Sequence, residues 1–162
     1  MTDDAARFRR ATRGARTLLV PPGAVGTVTA ELGRALTAAQ FTPTTAATAA
    51  GVVGLYRRGS AVGDVLLGGS GLSLLTSRIG PLSALGVVVV WAGAVDPARS
   101  RVIVSMVAGS HVGDDFVTAV DDAVAALRRQ GIIAQDDGWS RAVDVPADLA
   151  ANPKRAAELG LV

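Results

Sequence analysis

The densest apolar run in this chain lies at residues 85–108, LGVVVVWAGAVDPARSRVIVSMVA, where two β-rich stretches flank a turn. Four consecutive valines, Val87 to Val90, followed by Trp91 suit a pleated strand with both faces buried. The second stretch alternates. Val102, Val104, Met106 and Ala108 fall on one side, and Arg101, Ile103, Ser105 and Val107 on the other, because successive strand side chains take opposite faces. Asp96-Pro97 favours turn initiation, so the pattern predicts an antiparallel hairpin with a loop of roughly four to six residues. Residues 79–95 carry no charge, yet Gly80, Pro81, Gly86 and Gly93 interrupt them. They also fall short of the about 20 apolar residues a membrane-spanning helix needs.

Around this hairpin the period changes. Residues 17–20 read as a short strand ended by Pro21-Pro22. In residues 23–40, Val25, Val28, Leu32, Ala35, Leu36 and Ala39 recur at spacings of three and four and predict an amphipathic helix. Gly26 and Gly33 inside it mark places of close packing against the sheet. Residues 41–50 form a loop or an edge strand, since Pro43 keeps their start out of a sheet centre. Residues 51–58 and 64–67 read as strands, and 70–81 as a loop or short helix. After the hairpin, Asp114 and Asp115 open a helix on which Phe116, Val117, Val120, Ala123, Val124 and Leu127 share one stripe. Arg128 and Arg129 in its last turn and Gly131 just beyond close it. Asn152-Pro153 caps a last short helix.

The predicted fold class is therefore α+β: one antiparallel sheet of about four to five strands in the order β-α-β-β-β-β-α, with two main helices covering one face. The organisation is a basic arm or short helix at 1–16, an α+β domain at 17–131, and a C-terminal appendage at 132–162 that packs on the domain or is flexible.

Charge and composition alter this picture little. Sixteen basic residues oppose 14 acidic ones, and there is no cysteine, which excludes thiol chemistry, disulfides and cysteine-based metal sites. The isoelectric point near 9.9 follows from basic residues that are nearly all arginine, Lys154 being the single lysine. The arginines at 7, 9, 10, 13 and 16 offer a contact to anionic lipid or nucleic acid, although a solvated terminus accounts for them more simply. Charged residues make up 19%, below the usual about 25%, and mean hydropathy is +0.38. Either the core is generous, or apolar surface awaits a partner, a ligand or a bilayer. Residues 1–16 contain no apolar leader, which points to the cytoplasm.

Candidate chemistry is sparse. His111, the one histidine, precedes Asp114 and Asp115 and with them forms the weak candidate set for a general base. One histidine without cysteine is a poor ligand supply for zinc, so no metal is expected. Residues 63–71, GDVLLGGSG, lack the Gly-Lys-Ser/Thr ending of a phosphate loop and the G-x-G-x-x-G of a dinucleotide fold, so no cofactor is expected. Arg57, Arg58 and Arg78 are possible anion contacts if the strands gather them, and Asp136-Asp137 reads as a solvated turn. Aromatics at 4% are too few to interleave with basic residues as nucleic-acid binders do. The leading expectation is a non-catalytic domain that binds itself or another protein through apolar surface. The alternatives are a small carrier with an apolar ligand between the sheet and the second helix, and an enzyme using His111. A membrane surface ranks behind these partners, and nucleic acid last.

Overall fold

A computed structural model describes residues 13–44, 49–59, 85–109 and 112–162. The chain runs β1 (Gly14–Val20), a 3-10 turn (Pro22–Ala24), α1 (Val25–Ala38), β2 (Thr42–Thr44), β3 (Val52–Arg58), β4 (Gly86–Asp96) and β5 (Arg99–Gly109). It continues with α2 (Gly113–Arg129), β6 (Gln135–Arg141), a second 3-10 turn (Ala142–Asp144) and α3 (Pro153–Glu158). The strands form one antiparallel sheet of six in the order β2-β3-β4-β5-β1-β6. The α+β class is as expected, but the strand count is higher. The strand expected at 64–67 lies outside the described residues, whereas 42–44 and 135–141 supply two strands. β2 is an edge strand, where Pro43 costs no ladder hydrogen bond.

The hairpin of β4 and β5 is the centre of the sheet, as its valines indicated. Its loop is tighter than expected, only Pro97 and Ala98, because the Asp96 carboxylate accepts the Ala98 N–H at 2.9 Å and closes the turn itself. Alternation along β5 holds to Val107. There the register shifts opposite Val87 and Val88, and the bulge turns Ala108 onto the same side as Val107.

The first face of the sheet carries Leu18, Val20, Val88, Val90, Val102, Val104 and Met106. It is closed by Val28, Leu32 and Leu36 of α1 and by the whole predicted stripe of α2. Of the two glycines in α1, Gly33 is buried and a methyl group there would collide with the Tyr56 hydroxyl, whereas Gly26 faces open space. Phe41 and Phe116 meet edge to face at 6.5 Å, and Phe116 meets Trp139 at 5.5 Å.

The expectation of a single covered face is corrected by the C-terminal residues. Ala142, Val145, Ala150, Ala151, Ala156 and Leu161 pack on Ala15, Leu55, Val87, Val89, Ile103 and Val107, so part of the second face is buried as well. β6 enters the sheet beside β1 because Asp136 is drawn to a cation 120 positions away. The Arg16 guanidinium grips the Asp136 carboxylate through Nε at 3.1 Å and Nη2 at 2.6 Å, and it also meets Asp121. Arg16 thus belongs to β1 and is buried, not part of a solvated arm. Likewise Asp136 is no solvated turn, since its side chain is 1% exposed.

Candidate functional site

Arg57 and Arg58 are neighbours on β3, and strand alternation sends them to opposite faces. Arg57 Nη2 donates to the Leu161 carbonyl at 3.1 Å on the second face. Arg58 lies on the first, nearly enclosed. Its Nη1 donates to the Ala39 carbonyl at the end of α1 (3.2 Å) and to the Asp115 carboxylate in the first turn of α2 (2.5 Å), and its guanidinium stacks on Phe41 at 5.8 Å. A cation at the carbonyl end of one helix and a carboxylate at the N–H end of the other both suit the helix dipoles. This pair lines a shallow, open pocket of about 230 Å³ with Ala38, Ala39 and Gln40. The two candidate groups, a basic one for anions and an acidic one for proton transfer, therefore neutralise each other. Asp114 stands exposed beside them on α2. His111 and Arg78 lie outside the described residues, as do residues 63–71. Among the described residues no group of three or more His, Asp or Glu could hold a metal ion.

A second charged cluster is equally engaged. Burial of Asp136 raises its pKa, but the Arg16 fork, the Gly138 N–H and the charges of Arg16 and Arg128 outweigh that and hold it below the ordinary carboxylate value. Trp139 Nε1 donates to Asp121 at 2.9 Å, and Arg128 Nη2 to Asp136 at 2.7 Å. The arrangement ties β1, β6 and α2 together.

Among the described residues the second face is least enclosed at one end, where Trp91 and Gly93 of β4, Arg101 of β5 and Thr17 and Leu19 of β1 are all half-buried. Trp91 donates its Nε1 hydrogen to the Ala50 carbonyl at 3.2 Å. Its ring runs from Gly51 to Gly93, and a methyl group on either glycine would enter it. Gly51 also holds φ +77°, a left-handed conformation that glycine adopts at low cost. Arg101 pairs across the ladder with Gly93 and Leu19 and has no side-chain partner among the described residues. At the same end Val53, displaced by a register shift in β3, is 51% exposed and Val95 is 43% exposed. β4 outruns β3 here. The last β3 pairing is Val52 with Trp91, and Ala92 then donates to Gly51 O at 2.7 Å. Ala94 turns its backbone to the same open side two residues on, because strand hydrogen bonding alternates.

Sequence patterning assigned Trp91 and Trp139 alike to packing. Both are half-buried, Trp139 against the core of the first face and Trp91 against that of the second. Gly93, two residues along from Trp91, leaves its ring space to lie over the strand. Comparison of the chain with family models, with curated proteins and with solved structures finds no match. No helix among the described residues is long and apolar enough to cross a membrane.

Proposed function

We propose that this chain is a non-catalytic α+β domain of the cytoplasm that associates with a second copy of itself through the open end of its second sheet face. The observation that carries this reading is the exposure of Val53 and Val95 at the same end of the sheet as Trp91, beside an overhanging, uncharged stretch of β4. Elsewhere the sheet edges are guarded. β2 is three residues long and contains proline, and β6 bears Asp136, Asp137 and a left-handed Gly138. An antiparallel strand edge is self-complementary about a two-fold axis, so two overhangs can pair while the apolar side chains beside them close.

The space between the sheet and α2, where an apolar ligand was an alternative, is filled by the chain's own Leu18, Val104, Phe116 and Val120, each 1% exposed or less. Of the acidic side chains nearest the candidate site, Asp115 is engaged by Arg58, and Asp121 and Asp136 are engaged by Arg16.

Native mass spectrometry and sedimentation of the wild type test the proposal against the Val53→Glu/Val95→Glu double variant. The wild type is expected at a multiple of 16.3 kDa. The double variant should weaken association at least tenfold while its circular dichroism is unchanged. A wild type that stays at one chain mass up to several hundred micromolar sinks the proposal.

A further inference from the structure

We propose that residues 145–162 form a cover that opens and closes as a unit over the second sheet face, hinged on the 3-10 turn Ala142–Asp144, with Ser105 beneath it set against closure.

The cover rests on small side chains. Ala150, Ala151 and Ala156, with Val145 and Leu161 as the larger anchors, meet the valines of the sheet. Its one helix, α3, has six residues and is too short to persist in water once lifted. Its fastenings are mostly its own. Asn152 accepts the Lys154 N–H at 2.9 Å and donates to the carbonyls of Val145 at 2.7 Å and Val143 at 3.3 Å, and Arg155 pairs with Glu158. The bond from Arg57 to the Leu161 carbonyl is the side-chain hydrogen bond that joins it to the sheet among the described residues. Immediately before the hinge the character changes, since β6 is pinned to β1 and α2 by the buried ion pairs of Asp136. The hinge itself is exposed at Val143, and Arg141 pairs with Asp144 across it in solvent.

Ser105 supplies the independent argument. It sits on the second face between Ala15 of β1 and Val89 of β4, wholly buried, and its hydroxyl has no hydrogen-bond partner among the described residues. An unpaired hydroxyl costs the closed state the hydration it gave up, and lifting the cover restores that hydration. A strand position that would otherwise take alanine or valine thereby lowers the barrier to opening. Opening uncovers Val87, Val89, Ile103 and Val107, which continue the surface around Trp91. The opening is independent of self-association. Only its effect of enlarging the docking surface rests on that reading.

Native-state hydrogen exchange on the intact chain provides the test. The readout is the amides of Ala156, Leu159 and Leu161, which bond within the cover, set against amides in the middle of α2. The cover amides are expected to exchange at least tenfold faster than those of α2, with little dependence on denaturant. Ser105→Ala should slow the cover about fivefold or more, and Leu161→Ala should speed it about thirtyfold or more. Equal protection of the cover and α2 would show that the segment opens only with the whole domain. A Ser105→Ala variant that raises α2 protection and leaves the cover unchanged would remove Ser105 from the device. Either result overturns the proposal, and neither depends on the oligomeric state.

Discussion

Both faces of the sheet bury apolar side chains, but they are closed by very different means. On the first, helices of 14 and 17 residues present leucine, valine and phenylalanine at helical spacing. On the second, a 3-10 turn and a six-residue helix present mainly alanine, and they reach only part of the way along the strands. The sheet side does not cause this difference, because Val87 and Val89 match Val88 and Val90. Long side chains fill a deep interface and require a regular helix to space them. Small ones allow a close approach by irregular backbone, with less area buried per residue. The comparison also accounts for the chain's high hydropathy. A strand that is buried on both faces cannot alternate, and β4 spends its valines on two cores at once.

Substitutions can sharpen or break this contrast. The largest effect is expected from Phe116→Ala, which removes the ring that bridges Phe41 and Trp139. Such a change costs about 3–5 kcal/mol, read as a shift in the denaturation midpoint. Val145→Ala in the opposite cover removes two methyl groups and should cost only roughly 1.5 kcal/mol. Equal losses would erase the distinction between the two covers.

Next comes Asp136→Asn, which leaves Arg16 buried beside a neutral amide and should cost about 3 kcal/mol. Its pH dependence has a definite sign. A folded-state pKa held below the unfolded value of 3.8 gives stability that is present above that value and lost as pH falls through the folded pKa. Acid titration below about pH 4 should therefore destabilise the wild type more steeply than Asp136→Asn. Parallel curves would show that the buried pair contributes no such linkage.

The smallest effects separate the two glycines of α1. Gly33→Ala forces the Tyr56 hydroxyl aside and should cost roughly 1–2 kcal/mol. Gly26→Ala meets nothing and should gain up to about 1 kcal/mol from helix propensity. A gain at both positions would mean that the first face is less tightly packed than its burial indicates.

Local pattern made the first face readable in advance. The stripes of α1 and α2, the Gly131 cap and the valine hairpin all follow from residues within a few positions of one another. Even the Asn152-Pro153 cap acts as its spacing indicates. What stayed hidden depends on long separations. Asp136 looks like a turn residue until Arg16 is beside it, and β6 has too little hydrophobic alternation to register as a strand. The alanines at 150, 151 and 156 give no periodic signal, because small side chains bury themselves wherever backbone comes close. Arg58 and Asp115 each suggested a site alone, and only the fold shows that they belong to one another.

The position of β1 between β5 and β6 has a consequence for how the chain is made. β1 has partners 80 or more residues behind it in β5 and more than 115 behind it in β6, so both its edges stay exposed until those strands have been made. Arg16 also waits, its first carboxylate arriving with Asp121 and its second with Asp136. Nascent chains cut short before β6 should retain the hairpin and α2 but leave one edge of β1 unpaired, and sheet closure becomes the late, slow event of folding, as loop-closure entropy requires.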